Sequence, residues 1–506
     1  MLAYLVTTAS LLATLAFRRA PAGRMVLAPV AGIPFTVIGL VAGFAIQAAA
    51  RMAGLGRPPW AALGVVGLIG AGIIGASIAP RAPGAVDVRR GTVIEVGVPR
   101  RRRRFLGKAA GSGGALRFAG VDLSPADETK HFKLLGTTGT GKSSSIRELL
   151  KGAIARGDRA VFADPDGGYL ARFHQESRGD VILNPFQQDS CKWDVFGELR
   201  NDYDFDQLAR SLIAESAGTE ASWRAYAQTF FAALLRQVHS GGNADVGELY
   251  RLVTSAPIEE LRELLGGTPA QPFVLEGNER MFGSIRSIAS NAVAALAFIR
   301  RQSGKSFSIR DWVEEGKGVL FLPYRADQIA ALRSVISTWM RIAIFQTMSQ
   351  GEGDRRLWFV IDELDALGNI DGLKDALARL RKFGGRCVLG FQSIAQVSGI
   401  YGESESQTIV ENCGNTLILR CSASEKGGTA QFASRLIGER EIVRKTFSRS
   451  SGAPFSGESR GSVTRSTQHV LEQAVLASEI EQLPDLVGYV KIASRPEWRR
   501  VKLIVR

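Results

Sequence analysis

The chain has 506 residues, a hydrophobic fraction of 45% and a formal net charge of +14 at pH 7. Its length suggests about three domains. Its four cysteines form no C-x-x-C pair and its four histidines are scattered, which argues against a disulfide framework and a zinc site. We therefore expect reduced, partly buried thiols in a cytosolic compartment.

The positive charge is concentrated at the start of the chain. Residues 1–110 contain fourteen arginine or lysine residues and only two acids, which leaves residues 111–506 close to neutral. The basic net charge is therefore weak evidence that the later part of the chain binds nucleic acid tightly.

Two long stretches without charged residues, 25–50 and 59–80, predict membrane spans because each is long enough to cross a bilayer. Residues 2–17 are a shorter apolar stretch, for which a span, an interfacial helix and a signal peptide are alternatives. Arg18 and Arg19 follow this stretch and disfavour the signal peptide. Basic residues flank the two spans, including the run Arg100–Arg104, and predict that both flanks are cytoplasmic. We expect residues 1–106 to form a membrane anchor with N-terminal transmembrane helices.

The segment Gly136–Ser143 (GTTGTGKS) fits the phosphate-loop pattern G-x-x-x-x-G-K-[ST]. An apolar strand pattern precedes it and a helical pattern follows, which is the context the motif requires. Lys142 is expected to reach the β- and γ-phosphates of ATP, and the Ser143 hydroxyl to bind Mg²⁺. The candidate nucleotide-binding residues are Gly136, Thr137, Thr138, Gly139, Thr140, Gly141, Lys142, Ser143 and Ser144.

Asp164 ends the next apolar run, within Asp-Pro-Asp-Gly. It is a second-rank candidate for contact with the nucleotide, and a plain turn is the alternative.

Helical periodicity without a strand pattern fills residues 202–297 and predicts an inserted all-α domain. Apolar strands alternating with helices surround it, so residues 107–201 and 298–506 are expected to form one α/β domain with a mostly parallel sheet. We expect residues 107–114 to be a linker and 448–466 a surface loop. A last helix and strand are expected at 470–480 and 488–492.

Asp362 and Glu363 follow the apolar strand Leu357–Ile361, at the end of a strand where ligands bind in open α/β sheets. Asp362 is expected to hold Mg²⁺ and Glu363 to act as general base on the attacking water. Gln392 follows a further strand and is a candidate γ-phosphate sensor. Arg381 lies in a basic cluster that forms either a solvated helix face or an arginine finger for a neighbouring subunit.

These segments together resemble the type IV coupling proteins, the TraD/TrwB group. The resemblance is carried by HFKLLGTTGTGKSSSIRELL, RGDRAVFADPDGGYLARF, DVILNP, FVIDELDAL, RKFGGRCVLGFQS, the helical block and the membrane spans. It implies a RecA-like P-loop NTPase in the bacterial inner membrane, with a cytoplasmic motor that assembles into a hexamer. The implied partners are single-stranded DNA, the relaxase and its relaxosome, and type IV secretion channel proteins.

The resemblance also implies roles for individual residues. Lys142 and Ser143 are expected to bind ATP and Mg²⁺, Asp362 and Glu363 to serve hydrolysis, and Gln392 to sense the phosphate. Arg381 matches the trans-acting arginine. Longer members carry an acidic tail for relaxosome docking, which we do not expect here.

Two alternatives share the predicted motor chemistry. One is an FtsK-like DNA translocase, which would normally have more spans and a DNA-reading module. The other is an ATP-dependent receptor that recruits protein substrates to a secretion channel, an alternative that the nearly neutral motor region leaves open.

Overall fold

The structure is a computed structural model that describes residues 2–17, 22–52, 68–74, 87–96, 116–215, 220–242, 244–424, 428–450 and 462–504. It forms two compact units. The first consists of Met1–Arg89 and Glu441–Val470, and the second of Arg90–Arg440 and Leu471–Arg506. The predicted linker at 107–114, the arginine run and most of the second predicted span lie outside the described residues.

The described helices are α1 (Leu2–Phe17), α2 (Ala22–Met52), α3 (68–74), α4 (Pro125–Glu128), α5 (Lys142–Ala155), α6 (Leu170–Phe173), α7 (Asp202–Leu212), α8 (Ala221–Ser240), α9 (Val246–Thr254), α10 (Ile258–Leu264), α11 (Glu279–Ala292), α12 (Leu296–Ile299), α13 (Ile309–Glu315), α14 (Ile329–Ser349), α15 (Leu373–Arg379), α16 (Ile394–Tyr401), α17 (Glu403–Asn412), α18 (Gly428–Ile437) and α19 (Ala477–Glu481). The described strands are β1 (Asp87–Gly91), β2 (Ile94–Val96), β3 (Arg117–Phe118), β4 (Val121–Asp122), β5 (Phe132–Leu135), β6 (Arg159–Pro165), β7 (Val181–Ile182), β8 (Lys192–Trp193), β9 (Ser306–Phe307), β10 (Val319–Tyr324), β11 (Leu357–Ile361), β12 (Gly385–Phe391), β13 (Asn415–Ile418), β14 (Glu439–Ser450), β15 (Ser462–Gln473), β16 (Val487–Lys491) and β17 (Trp498–Lys502).

In the first unit, α1 packs along α2. Leu11, Leu15 and Ala28 bury their side chains together, and the Tyr4 hydroxyl donates a hydrogen bond to the Pro29 carbonyl at 2.7 Å. Within the described ranges, α2 is the one helix long and apolar enough to cross a membrane, over Ala28–Ala45, and α1 is a shorter apolar helix. A multi-pass anchor therefore stays a prediction.

A ten-stranded sheet forms the centre of the second unit. Its order is β2-β17-β16-β13-β5-β12-β11-β6-β10-β7. Neighbouring strands from β13 to β7 run parallel, whereas β16 pairs antiparallel with β13 and with β17. The prediction of an α/β fold with a mostly parallel sheet is therefore confirmed.

Both faces of the sheet are buried, which explains why its strands read as continuous apolar runs. Along β11, Trp358 and Val360 point into a core that also contains Phe132 and the buried side chains of α5. Phe359 and Ile361 point into the opposite core, which includes α14. The alternation follows from the period of two of a strand.

The described residues between 202 and 299 form helices α7 to α12 and a 3-10 turn. Their buried side chains, such as Phe230, Phe231 and Ile285, belong to the same core as Phe359 of the sheet. The helical segment therefore shares its core with the α/β layer, and its independence as an all-α domain stays a prediction.

Two local predictions were wrong. Residues 470–473 end strand β15 instead of beginning a helix, and only Ala477–Glu481 is helical. The described ends of the predicted loop 448–466 are strand as well, because β14 and β15 are neighbours in a three-stranded sheet with β1. The apolar spacing after Val470 imitates a helix, but strand pairing decides the conformation. Its central part, 451–461, lies outside the described residues.

Candidate active site

The phosphate loop lies at the carboxyl edge of the sheet, between β5 and α5. The parallel strands all end at this edge, so the residues that follow the neighbouring strands β5, β12, β11 and β6 come close together. Gly141 is the N-cap of α5 and has a φ of +116°, and a Cβ there would lie 2.9 Å from side-chain carbons of Leu486 and Leu503. Glycine is therefore favoured here for two reasons: the positive φ disfavours other residues, and a side chain would collide with the two leucines.

Lys142 is folded across the loop. Its Nζ donates to the carbonyl of Gly136 at 2.5 Å and to that of Thr137 at 3.3 Å, and the side chain is buried. Burial lowers the pKa of Lys142, and the carboxylates of Asp362 and Glu363 oppose this shift. The ammonium is thus held beside the loop amides, where a phosphate oxygen of a nucleotide would need a positive charge.

Ser143 and Asp362 are in direct contact. The Ser143 hydroxyl donates to Oδ2 of Asp362 at 2.6 Å. The second carboxylate oxygen, Oδ1, is buried and has no hydrogen-bond partner among the described residues. A hydroxyl beside a carboxylate with one free oxygen is an oxygen donor set that suits Mg²⁺.

Gln392 connects the loop to the acidic pair. Its Nε2 donates to Oε1 of Glu363 at 3.0 Å, and its Oε1 accepts from the Thr138 hydroxyl at 3.0 Å. Burial and the neighbouring Asp362 raise the pKa of Glu363. A raised pKa makes a carboxylate a stronger proton acceptor, which suits a general base.

The remaining loop candidates have mainly structural contacts. The Thr140 hydroxyl donates to the Thr137 carbonyl at 2.7 Å, and the amide of Thr137 donates to the Arg420 carbonyl at 2.8 Å. Gly139 has a φ of +77°, and Ser144 continues helix α5. These contacts shape the loop around its amides.

Asp164 contacts the segment that follows β6. Its buried carboxylate accepts from the amides of Tyr169 and Leu170, at distances from 2.6 to 3.1 Å. Burial raises the pKa of Asp164 to about 6. The structure therefore gives this candidate a supporting position, through the segment that carries Tyr169.

Arg381 is not brought into this site. It is exposed in the 3-10 turn Leu380–Phe383, which precedes β12, whereas Gln392 follows β12. Seven residues of strand place the two ends about 23 Å apart. Arg381 therefore cannot reach the phosphate loop of its own chain.

Two features of the site escaped the sequence analysis. The Tyr169 hydroxyl donates to Oδ2 of Asp362 at 2.7 Å, across a long separation in the chain. Gly390 lets β12 approach the acidic pair, because a Cβ there would lie 2.2 Å from the Asp362 carbonyl oxygen. The glycine interrupts a bulky apolar run and is the one local signal for this contact.

Comparisons with known proteins agree with this architecture. A family model described as the type IV secretion-system coupling protein DNA-binding domain matches residues 115–504. The coupling protein TraD of Escherichia coli strain K12 is 34% identical over 393 residues, which make up 76% of this chain and 54% of TraD. The chain thus spans about half the length of this relative.

The fold is also similar to solved structures of the conjugative coupling protein TrwB, at 32% identity. The match to the unbound form has a TM-score of 0.70 and covers 78% of this chain and 90% of the solved TrwB chain. The complex with a non-hydrolysable ATP analogue has a TM-score of 0.70, with coverages of 83% and 94%. The complex with ADP and Mg²⁺ has a TM-score of 0.68, with coverages of 78% and 89%. On this evidence, the chain belongs to the family of type IV secretion-system coupling proteins.

Proposed function

We propose that the chain is a coupling ATPase of the bacterial inner membrane. It links a relaxosome to a type IV secretion channel and uses ATP hydrolysis to translocate single-stranded plasmid DNA during conjugation. Family membership supports the coupling role, and the family model that matches residues 115–504 describes a DNA-binding domain. The TrwB complexes with an ATP analogue and with ADP and Mg²⁺ support nucleotide binding at the corresponding site.

The observation that carries the proposal is the convergence of three segments at the carboxyl edge of the sheet. Lys142 and Ser143 come from the loop, Asp362 and Glu363 from the end of β11, and Gln392 from the end of β12. Lys142 binds the phosphates. Glu363 accepts the proton of the attacking water, and Gln392 orients Glu363 and reports on the phosphate through Thr138.

Ser143 and Asp362 would hold Mg²⁺. The fit rests on Oδ1 of Asp362, which is buried and has no partner in the part of the chain that the structure describes, and on the Ser143 hydroxyl that contacts Oδ2. When bound, the ion supplies neutralisation of the charge on the transferred phosphoryl group. The protein's part is to keep both oxygen groups in place at the start of α5.

The position of Arg381 fits a ring. It is exposed at the amino end of β12, whereas the phosphate loop lies at the carboxyl end, so an arginine finger at this position would act on the loop of another subunit. We propose a hexamer with a multi-pass anchor that includes α2, a cytoplasmic motor, and an all-α domain at 202–297.

The proposal can be tested with the full-length protein in detergent. We expect single-stranded DNA to raise its ATPase rate, and Lys142→Ala to lower this rate about 100-fold, as when a charge-stabilising donor is lost. Lys151→Ala is the matched control, because Lys151 is exposed on the same helix. Plasmid transfer in matings should fall with the first variant only.

The outcome also separates the two main functions. ATP hydrolysis without any response to single-stranded DNA would contradict translocation and favour a receptor for protein substrates. Plasmid transfer that survives Lys142→Ala would contradict the motor function altogether.

A further inference from the structure

Tyr169 and Ser143 both donate hydrogen bonds to one carboxylate oxygen of the acidic pair, Oδ2 of Asp362. The Tyr169 hydroxyl donates to this oxygen at 2.7 Å, and the Ser143 hydroxyl donates to the same atom at 2.6 Å. Two O–H donors thus converge on one carboxylate oxygen. Oδ1 of Asp362 stays buried without a partner among the described residues.

The carboxylate of Asp164 holds the backbone of Tyr169 in place. Oδ1 and Oδ2 of Asp164 accept from the Tyr169 amide at 3.0 and 3.1 Å, and Oδ2 accepts from the Leu170 amide at 2.6 Å. By accepting hydrogen bonds from these amides, the carboxylate anchors the turn before α6. Asp164 is itself fully buried, so this anchor is shielded from water.

The ring of Tyr169 is enclosed as well. It stacks on Phe162 with a centroid distance of 5.1 Å and an interplanar angle of 23°. The Arg147 guanidinium lies over the ring at 5.5 Å from its centroid. The side chain is only 1% exposed, so the hydroxyl has little freedom to turn away from Asp362.

This geometry makes the two oxygens of Asp362 unequal. Oδ2 accepts from both hydroxyls, and Oδ1 accepts from no group in the described ranges. Oδ1 is buried beside Gly390 of β12, so Oδ2 is the carboxylate oxygen on the side of Ser143 and the predicted magnesium position.

We propose that Tyr169 is a positioning residue of the magnesium site. Its hydroxyl holds the Asp362 carboxylate in the orientation in which Oδ2 contacts Ser143, the side chain expected to bind the cation that accompanies the nucleotide. The proposal rests on the proposed ATPase function and deepens it, because it assigns the orientation of Asp362 to a residue outside the phosphate loop and the acidic pair. A purely structural role for Tyr169, as a ring packed on Phe162, is the competing explanation.

The test compares Tyr169→Phe with wild-type full-length protein, using a fluorescent ATP analogue. Binding is measured first in EDTA and then across a series of free Mg²⁺ concentrations. We expect equal affinity in EDTA and a half-saturating Mg²⁺ concentration raised at least about tenfold, as for other residues that orient metal ligands. The phenylalanine ring keeps the packing, so only the hydroxyl is removed.

Tyr324→Phe is the matched control. The Tyr324 hydroxyl is also buried but has no hydrogen-bond partner in the described part of the chain, so its removal should leave the Mg²⁺ dependence unchanged. In an Asp362→Ala background, Tyr169→Phe should add no further shift, because it acts through that carboxylate.

Three results would overturn the proposal. An unchanged Mg²⁺ dependence in Tyr169→Phe would remove the positioning role. Equal weakening in EDTA and in Mg²⁺ would assign Tyr169 to packing alone. Wild-type protein that binds no nucleotide would overturn the proposed function itself, a failure that is visible before any variant is made.

Discussion

Ser143 and Asp362 are joined by a 2.6 Å hydrogen bond although they are 219 positions apart in the chain. The contact is possible because β5 and β11 are parallel strands of one sheet, with β12 between them. The intervening strand also sets the place of Gln392, which bonds to Thr138 of the loop and to Glu363 of the acidic pair. Strand order therefore determines which side chains meet at the nucleotide.

Glu363→Gln should separate nucleotide binding from hydrolysis. The amide keeps the shape of the side chain but cannot accept a proton, so we expect the ATPase rate to fall by about 10² to 10⁴. Nucleotide affinity should be retained, as measured with a fluorescent ATP analogue. Glu352→Gln, on an exposed turn, is the control. Hydrolysis at the wild-type rate would exclude Glu363 as general base.

Arg381→Ala should lower hydrolysis by about 10³ while nucleotide binding is retained, if the arginine acts on a neighbouring subunit. Mixed oligomers offer a sharper measurement. A subunit with Lys142→Ala still supplies Arg381, and a subunit with Arg381→Ala still supplies an intact loop, so mixing the two should restore part of the activity. Lys382→Ala, the exposed neighbour, is the control. No recovery on mixing would contradict the trans role.

Arg156→Ala should destabilise the fold. The guanidinium donates to both carboxylate oxygens of Glu128 at 2.9 and 2.8 Å and also bonds to Asp158, and both acids are buried. After the arginine is removed, Glu128 keeps only the Arg386 guanidinium, at 3.7 Å, among the described groups. In the same part of the chain, Asp158 keeps only the Trp358 indole N–H, at 2.9 Å. Breaking a buried ion pair in this way typically costs about 3 kcal/mol or more. Urea unfolding measures this loss.

Arg117→Ala is the comparison for this experiment. Arg117 is about half exposed and pairs with Asp122 and Glu148 at the surface, so its loss should cost less than about 1 kcal/mol. Equal losses of unfolding free energy in the two variants would show that the buried ion pairs of Arg156 stabilise the fold no more than the surface pairs of Arg117.

His131 should make the fold sensitive to acid. The Cys387 amide donates to its Nδ1 at 3.0 Å, so the proton lies on Nε2, which donates to the Leu377 carbonyl at 3.0 Å. Burial lowers the pKa of His131 to about 4. Between about pH 6.5 and 4, His131 is protonated in the unfolded chain but neutral in the folded chain. The free energy of unfolding therefore decreases as the pH falls through this window.

His131→Asn removes this contribution. The loss of unfolding free energy from pH 7 to pH 5 should therefore be about 2 kcal/mol smaller in the variant than in the wild type. Urea unfolding at both pH values measures it. The same pH dependence in both proteins would mean that folded His131 accepts a proton.

The sequence predicts those parts of the site that are encoded in short contiguous motifs. The loop around Lys142 and the acidic pair at Asp362 each combine a strand with a characteristic end, and the structure brings them together. Tyr169 could not be found in this way, because its partner lies on another strand and no local pattern marks the contact. The roles of all these residues stay predictions until variants are measured.

The fold follows the same division. The parallel sheet was predictable because apolar strands alternate with helices, as in β10, α14 and β11. The paired strands β8 and β9 have two residues each and are defined by backbone bonds such as Lys192 N–H to the Lys305 carbonyl at 2.9 Å. Two residues carry no periodicity, so these strands become visible only in three dimensions.

The place of β5 has a consequence for how the protein is made. On the growing chain, β5 and its phosphate loop leave the ribosome long before either neighbouring strand, because Phe132 pairs with Val388 and with Asn415. An apolar strand without partners is prone to mispairing until its neighbouring strands have been synthesised. Nascent chains that end before β13 should therefore depend on chaperones, and chains that extend past it should not.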